Sequence, residues 1–261
     1  MNSKSIIRGG ISFIVLFTTI VNAFSQVALP NDSVNSKKHK TSWTKVVAAP
    51  VVLISAGLLT TTDNEFIDKY EVHKRRNEWA SGFHTHVDNY LQYAPIAAVY
   101  GLNAAGIKGE HDLANQTALL VKSEILMTAM VFPLKKFTAV PRPDTGAPTS
   151  FPSGHTAQAF AAATFLHKEY GKDHPWYSVM AYGTATAVGV LRVLNNRHWV
   201  SDVLAGAGIG ILATNLAYLT HQNKWGKKHK KLSGVMMTPT YGQRSLGMYV
   251  MIPVGQTTHR R

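Results

Sequence analysis

Six apolar stretches, at about residues 46–62, 92–107, 115–134, 155–168, 177–193 and 203–220, constrain this chain more than any other feature. Each is long for a strand and suited to a helix, and polar connections separate them. Alternating β-branched runs are few in this region, and no internal repeat appears. The expected fold is all-α: a membrane-embedded six-helix bundle without an internal domain boundary, followed by a short C-terminal β-hairpin or tail. Small residues such as the run Ala205 to Gly210 let helix backbones approach closely. A bilayer span takes about 20 apolar residues. Several stretches are shorter, and a mean hydropathy of −0.04 is low for a polytopic protein. Polar termini and the segment Thr61 to Asn89 dilute that average, while 46–62 and 203–220 are apolar enough for lipid. A soluble or peripheral bundle is the alternative.

Around this bundle, 46–222, the chain divides simply. Residues 1–25 pair Lys4 and Arg8 with an apolar run from Ile11 to Val21 and the small residues Ala23 and Ser25, as a secretory signal does; an uncleaved anchor is the alternative. Residues 26–45 form a basic linker. A cleaved signal puts this linker outside the cytoplasm, whereas counting back through spans from an outward-facing site puts its lysines inside, where the positive-inside rule favours them. Residues 61–90 read as one or two amphipathic helices over the bundle or at an interface. Residues 223–261 are a basic segment and tail. The formal charge of +13 calls for an anionic partner. Basic and aromatic residues do not interleave as in a nucleic-acid stripe, and the charge lies in short blocks beside apolar segments, so a lipid surface is expected and nucleic acid is not. With no cysteine, disulfides and thiolate metal sites are excluded.

The chemistry-bearing residues gather in three groups. Phe151-Pro152-Ser153-Gly154-His155-Thr156 places a tight turn immediately before an Ala-rich helix, whose first N–H groups suit a phosphate. Lys135 is followed by six residues and then Arg142-Pro143; Arg192 is followed by five residues, His198, three more and Asp202. Two guanidinium groups and an ammonium can neutralise a phosphoryl group. A helix beginning near His198 puts His198 and Asp202 on one face, where the carboxylate fixes the imidazole tautomer and leaves the other nitrogen to attack. His155 remains as proton donor. His84-Thr85-His86 can chelate a metal if extended, but a surface position without partners is the expected one. Cations beside His155, His198 and Asp202 repel a metal and attract a phosphate.

These three groups resemble the signature motifs of the type 2 phosphatidic acid phosphatase family, which includes bacterial class A acid phosphatases and vanadium haloperoxidases. The resemblance covers roughly residues 90–220 and departs at Leu191, where the family usually has Ser. It implies that Lys135, Arg142, Ser153, Gly154 and Arg192 hold the phosphate, that His198 attacks phosphorus to give a phosphohistidine, that His155 protonates the leaving oxygen, and that Asp202 orients His198. It implies no metal and no cofactor. The expected function is hydrolysis of a phosphorylated membrane lipid (phosphatidic acid, phosphatidylglycerophosphate, a polyprenyl diphosphate or lipid A) at a bacterial membrane, with the site facing the periplasm. A vanadium-dependent haloperoxidase and a non-catalytic lipid-phosphate-binding envelope protein are the alternatives, the latter encouraged by Leu191.

Overall fold

Eight helices form among the residues that the computed structural model describes, 43–60, 68–221, 236–242 and 245–251. They are α1 (Trp43–Leu59), α2 (Lys69–Ala80), α3 (Val87–Leu91), α4 (Ala94–Ala104), α5 (Leu113–Thr138), α6 (Gly154–Tyr170), α7 (Pro175–Leu194) and α8 (Val200–Leu219). Six match the expected apolar stretches, and α2 and α3 are the helices read in 61–90. The signal or anchor and most of the basic linker lie outside the described residues, as does the basic cluster after residue 222. Residues 1–221 and 222–261 are separate units. In the second, β1 (Met236–Gly242) pairs antiparallel with β2 (Ser245–Met251), Met236 opposite Met251 and Gly242 opposite Ser245.

Local chemistry sets the helix ends. Asp68 accepts from Tyr70 N–H at 2.8 Å to start α2, and Asp112 accepts from Asn115 N–H at 2.9 Å to start α5. Pro175 stands in the first turn of α7, where its missing N–H costs nothing. α5 stops at Ala139, which adopts φ 46° and returns its N–H to the Lys135 carbonyl at 3.2 Å. Lys135 thus lies in the last turn of a helix, just before the chain turns towards the second motif.

Burial separates inner helices from outer ones. α6 packs against α4, α5, α7 and α8, and α8 also packs against α1. One apolar cluster joins Val99, Leu119, Phe165, Leu166 and Val188; a second joins Ile54, Met127, Val131, Ile209, Leu212 and Leu216. Three helices, α5, α7 and α8, are long and apolar enough to cross a membrane, which marks a membrane protein. Only 28 % of the apolar window of α5 and of α7 is buried within the protein, against 78 % for α8. α5 and α7 therefore turn Val121, Ile125, Phe132, Val179, Met180 and Val190 outward, while α8 is sheathed by protein.

The α6–α8 approach depends on glycine. A Cβ on Gly206 would stand 2.5 Å from the Ser153 carbonyl, and one on Gly210 would strike the Ala157 carbonyl with Ala161 N only 2.8 Å away. These residues lie one turn apart on one face, so α8 runs directly against the first two turns of α6, and both helices begin at the same end of the bundle. Gly210→Ala is expected to lower stability by about 1–3 kcal/mol through overpacking, seen as an earlier thermal unfolding in detergent. Gly183→Ala on α7, where a Cβ would meet nothing within 4 Å, serves as the tolerated control.

Candidate active site

Asp202 is the residue on which the expected site residues converge. Its side chain is fully buried, and Oδ2 accepts from Ser150 O–H at 2.5 Å, from Trp199 N–H at 2.9 Å and from His198 Nδ1 at 3.3 Å. The geometry differs from that expected. α8 begins at Val200, so His198 lies ahead of the helix and does not share a helical face with Asp202. The carboxylate instead folds back over the helix start, and the same return that satisfies Trp199 N–H brings it to the imidazole. With Nδ1 held by the carboxylate, Nε2 of His198 is the nitrogen left for chemistry. Burial is the main cause that pushes His198 down to about 4; hydrogen bonding to Asp202 opposes it, and nearby cations assist it. At neutral pH the imidazole is uncharged, the form that can attack an electrophile.

The loop before α6 supplies the next wall. Ser153 N–H donates to the Asp202 carbonyl at 2.9 Å, fastening this loop to the α8 start. Ser153 is the N-cap of α6: its Oγ accepts from Thr156 N–H at 3.3 Å and pairs with Thr156 Oγ1 at 2.9 Å. It is wholly buried, so its hydroxyl serves the helix start rather than standing open as a donor. Gly154 and His155 form the first turn, where backbone N–H groups lack intrahelical partners. The Phe151–Pro152 peptide is cis.

Cations surround this turn. Lys135 Nζ donates to the carbonyls of Thr149, Ser150 and Pro152 at 2.8, 3.3 and 2.6 Å, so the ammonium is clamped along the loop that leads into α6. Arg142 Nε donates to Thr149 Oγ1 at 3.2 Å. Burial and the Arg192 charge hold the Arg142 guanidinium below its ordinary range. Arg192, near the end of α7, is 7 % exposed; its Nη1 donates to Asp88 Oδ2 at 2.7 Å, and its Nε is buried with no partner. His155 Nε2 meets Asn89 Oδ1 at 2.9 Å, and burial, assisted by Arg192, pushes this histidine down to about 4.

A cavity of about 220 Å³ opens beside Arg192 and His155, lined also by His84, Thr85, His86, Asp88, Asn89, Asn195 and Arg197. Asn195 holds the His84 to Asn89 segment in place, accepting from Thr85 N–H and donating to the Thr85 carbonyl, both at 2.9 Å. Arg197 pairs with Asp144 at 3.0 Å, and Trp199 Nε1 donates to the Pro141 carbonyl at 2.9 Å, so the Arg142 loop is tied to the His198 loop. All eight expected residues therefore lie along one connected network. Ser150, Asp88, Asn89 and Asn195 were not singled out from sequence, since a lone Ser before the second motif or an Asp 104 residues from its arginine carries no spacing signal. The His84 and His86 pair lines the cavity mouth; among the described residues no group of three or more His, Cys, Asp or Glu is arranged to hold a metal.

The chain is similar to several known proteins. Residues 116–226 match the model of the PAP2 superfamily. The chain is 41 % identical over 169 residues to a lipid A 1-phosphatase of Porphyromonas gingivalis, an alignment that covers 64 % of this chain and 36 % of that relative. This chain thus spans about a third of the relative's length. It is also similar to the crystal structure of Aquifex aeolicus LpxE (23 % identity, TM-score 0.46, 60 % of this chain and 99 % of that one). A third similarity is to the crystal structure of a transmembrane PAP2-type phosphatidylglycerolphosphate phosphatase from Bacillus subtilis (20 % identity, TM-score 0.48, 67 % and 94 %).

Ser150 gives the geometry a direct test. Its hydroxyl is the shortest contact to Asp202 and bridges towards His198 Nδ1 at 3.5 Å. Ser150→Ala removes a donor to a buried carboxylate, a loss of about 1.5–3 kcal/mol. The expected result is a raised His198 pKa, read by histidine NMR, because Asp202 then interacts more strongly with the imidazole alone.

Proposed function

We propose that this protein is a phosphatase of membrane lipids that works through a phosphohistidine on His198. The observation that carries the reading is the buried His198 imidazole, held at Nδ1 by Asp202 beside a helix N-terminus that Lys135, Arg142 and Arg192 surround. Such a set binds a tetrahedral dianion and stabilises the equatorial charge of its transition state. Ser153 and Gly154 complete the phosphate-binding group as the start of α6. The first step forms a bond from His198 Nε2 to phosphorus and breaks the bond from phosphorus to the leaving oxygen, which takes its proton from His155. Asp202 stabilises the imidazole as its positive charge develops. In the second step water attacks phosphorus, His155 takes the water's proton, and His198 leaves as neutral imidazole.

Lipid is the favoured substrate class. Three helices can cross a bilayer, and the 41 %-identical relative is a lipid A 1-phosphatase. Val87, Tyr90 and Tyr93 are exposed on and beside α3, whose Asp88 and Asn89 line the cavity, and Trp79 is exposed on α2, a composition that suits a membrane–water boundary. The site is proposed to face the periplasm. The chain is divided, in this reading, at the expected boundaries: 46–222 as the catalytic domain, with the remaining segments outside it.

Two results are expected of purified protein in detergent. With labelled substrate and rapid quench, His198→Ala forms no phosphoenzyme; His155→Ala still forms one from an aryl phosphate but fails with alkyl or lipid phosphates, whose leaving oxygen needs a proton. Chelators leave the rate unchanged and vanadate inhibits; a label on His155, or activity restored only by one divalent ion, refutes the mechanism.

A third result concerns protons. Burial holds His155 near 4, so the free site leaves it neutral at pH 6. A bound phosphate dianion offsets the Arg192 charge and raises the histidine's pKa, because an adjacent opposite charge favours the protonated form. Binding of sulfate, already a dianion at pH 6 with no proton of its own to release, should therefore take up a proton. Calorimetry in two buffers of different ionisation enthalpy measures this, and equal heats in both would contradict it.

A further inference from the structure

Two contacts reach the site from a part of the chain that precedes the superfamily match at 116–226. Asp88, 1 % exposed, pairs with Arg192 at 2.7 Å, and its neighbour Asn89 meets His155 Nε2 at 2.9 Å. Consecutive residues of one five-residue helix thus grip the phosphate-binding arginine and the acid histidine. The helix is not loosely laid there. Asn195 clamps the preceding segment through both polar groups of Thr85, and Gln92 returns its side-chain N–H to the Asn89 carbonyl at 2.8 Å. Below it, Arg76 donates twice to the Leu194 carbonyl at the end of α7, at 2.9 and 2.7 Å.

We propose that Asp88 and Asn89 are positioning residues of the reaction, Asp88 for Arg192 and Asn89 for His155, so that the 84–92 segment is a fourth part of the active site. This rests on the phosphatase reading above. Asp88 accepts from one end of the guanidinium and fixes its plane, which leaves the buried, unpartnered Nε and the other Nη to face the phosphate. Asn89 accepts from Nε2–H of His155. The amide oxygen selects the tautomer with the proton on Nε2, and Nδ1 becomes the nitrogen that carries the transferable proton to the leaving oxygen. Asn89 is neutral, so it orients the ring without fixing a proton on it permanently. The titratable and charged groups facing His155 are Arg192 from α7, Asp88 from α3, Arg142 from the loop after α5 and His198 from the turn before α8.

The test uses the full chain in detergent, with 4-nitrophenyl phosphate as the good leaving group and dodecyl phosphate as the poor one. Asn89→Ala should lower kcat for dodecyl phosphate about tenfold or more while changing the aryl rate by less than about threefold, because only the alkyl oxygen needs the proton. Asn89→Asp places a carboxylate on Nε2–H, and it should move the alkaline limb of the dodecyl phosphate profile to higher pH. Asp88→Asn keeps shape and acceptor but loses the charge pair; it should lower kcat/KM about tenfold for both substrates alike, with no discrimination between leaving groups. Equal losses on both substrates for Asn89→Ala, or an alkaline limb that stays or falls in Asn89→Asp, would overturn the proposal. Long-range nitrogen NMR of His155 reads the same point without turnover: Nε2–H in the wild type and a tautomer mixture in Asn89→Ala support it, and an unchanged tautomer refutes it. If the wild type releases no phosphate from either substrate, the phosphatase reading fails; if His155→Ala discriminates leaving groups and Asn89→Ala does not, only this inference fails.

Discussion

A carboxylate that never meets solvent holds this site together. Asp202 joins two stretches of chain 52 residues apart: the loop ahead of α6, through Ser150 and, at its backbone carbonyl, Ser153, and the turn ahead of α8, through His198 and Trp199. Burying a carboxylate is costly unless its lone pairs are filled, and here two short donors and the imidazole fill those of Oδ2. Because its donors come from both stretches, the requirement to satisfy one buried oxygen fixes the register of the two together. The two helix starts meet as a consequence. Gly206 permits it, since any side chain there would press on the carbonyl of Ser153.

The cations impose the opposite problem. Lys135, Arg142 and Arg192 gather near one helix N-terminus, and in the absence of a counter-charge they repel one another. The fold offsets this with dipoles and one carboxylate: three loop carbonyls cradle the ammonium, and Asp88 faces Arg192. These partners are set within the fold itself, so in the proposed reaction little reorganisation is needed when a dianion enters. A ligand that brings two negative charges relieves the repulsion. The same economy explains the low proton affinities of His155 and His198, since each neutral imidazole avoids adding charge to a crowded, partly dry pocket.

The arrangement along the bundle serves a membrane substrate in the proposed reaction. α5 and α7 carry Lys135 and Arg192 in their last turns while turning apolar faces outward. α6 and α8 present their first turns at that same end. Charged groups thus sit where the apolar lengths finish, and the chemistry falls at the boundary between lipid and water.

The bundle, and which residues the fold would gather at the candidate site, could largely be read from the sequence, for local reasons. Apolar periodicity fixes helices, and the spacing of Lys135, Arg142, Arg192, His198 and Asp202 survives because each motif lies within a short stretch of chain. Local pattern failed where geometry turns on a cap. Four residues between His198 and Asp202 suggested one helical face, but a carboxylate at the third helical position prefers to fold back on the free N–H groups of the helix start, so α8 begins two residues later. Ser153 likewise became a cap, buried by the close passage of α8. Tertiary packing alone decided that Ser150 would fill Asp202, and that Asp88 and Asn89 would reach across about a hundred and about sixty residues to Arg192 and His155. No spacing encodes such contacts, because they depend on where α3 is laid over the ends of α6 and α7, and that is set by the whole bundle's packing rather than by any segment of it.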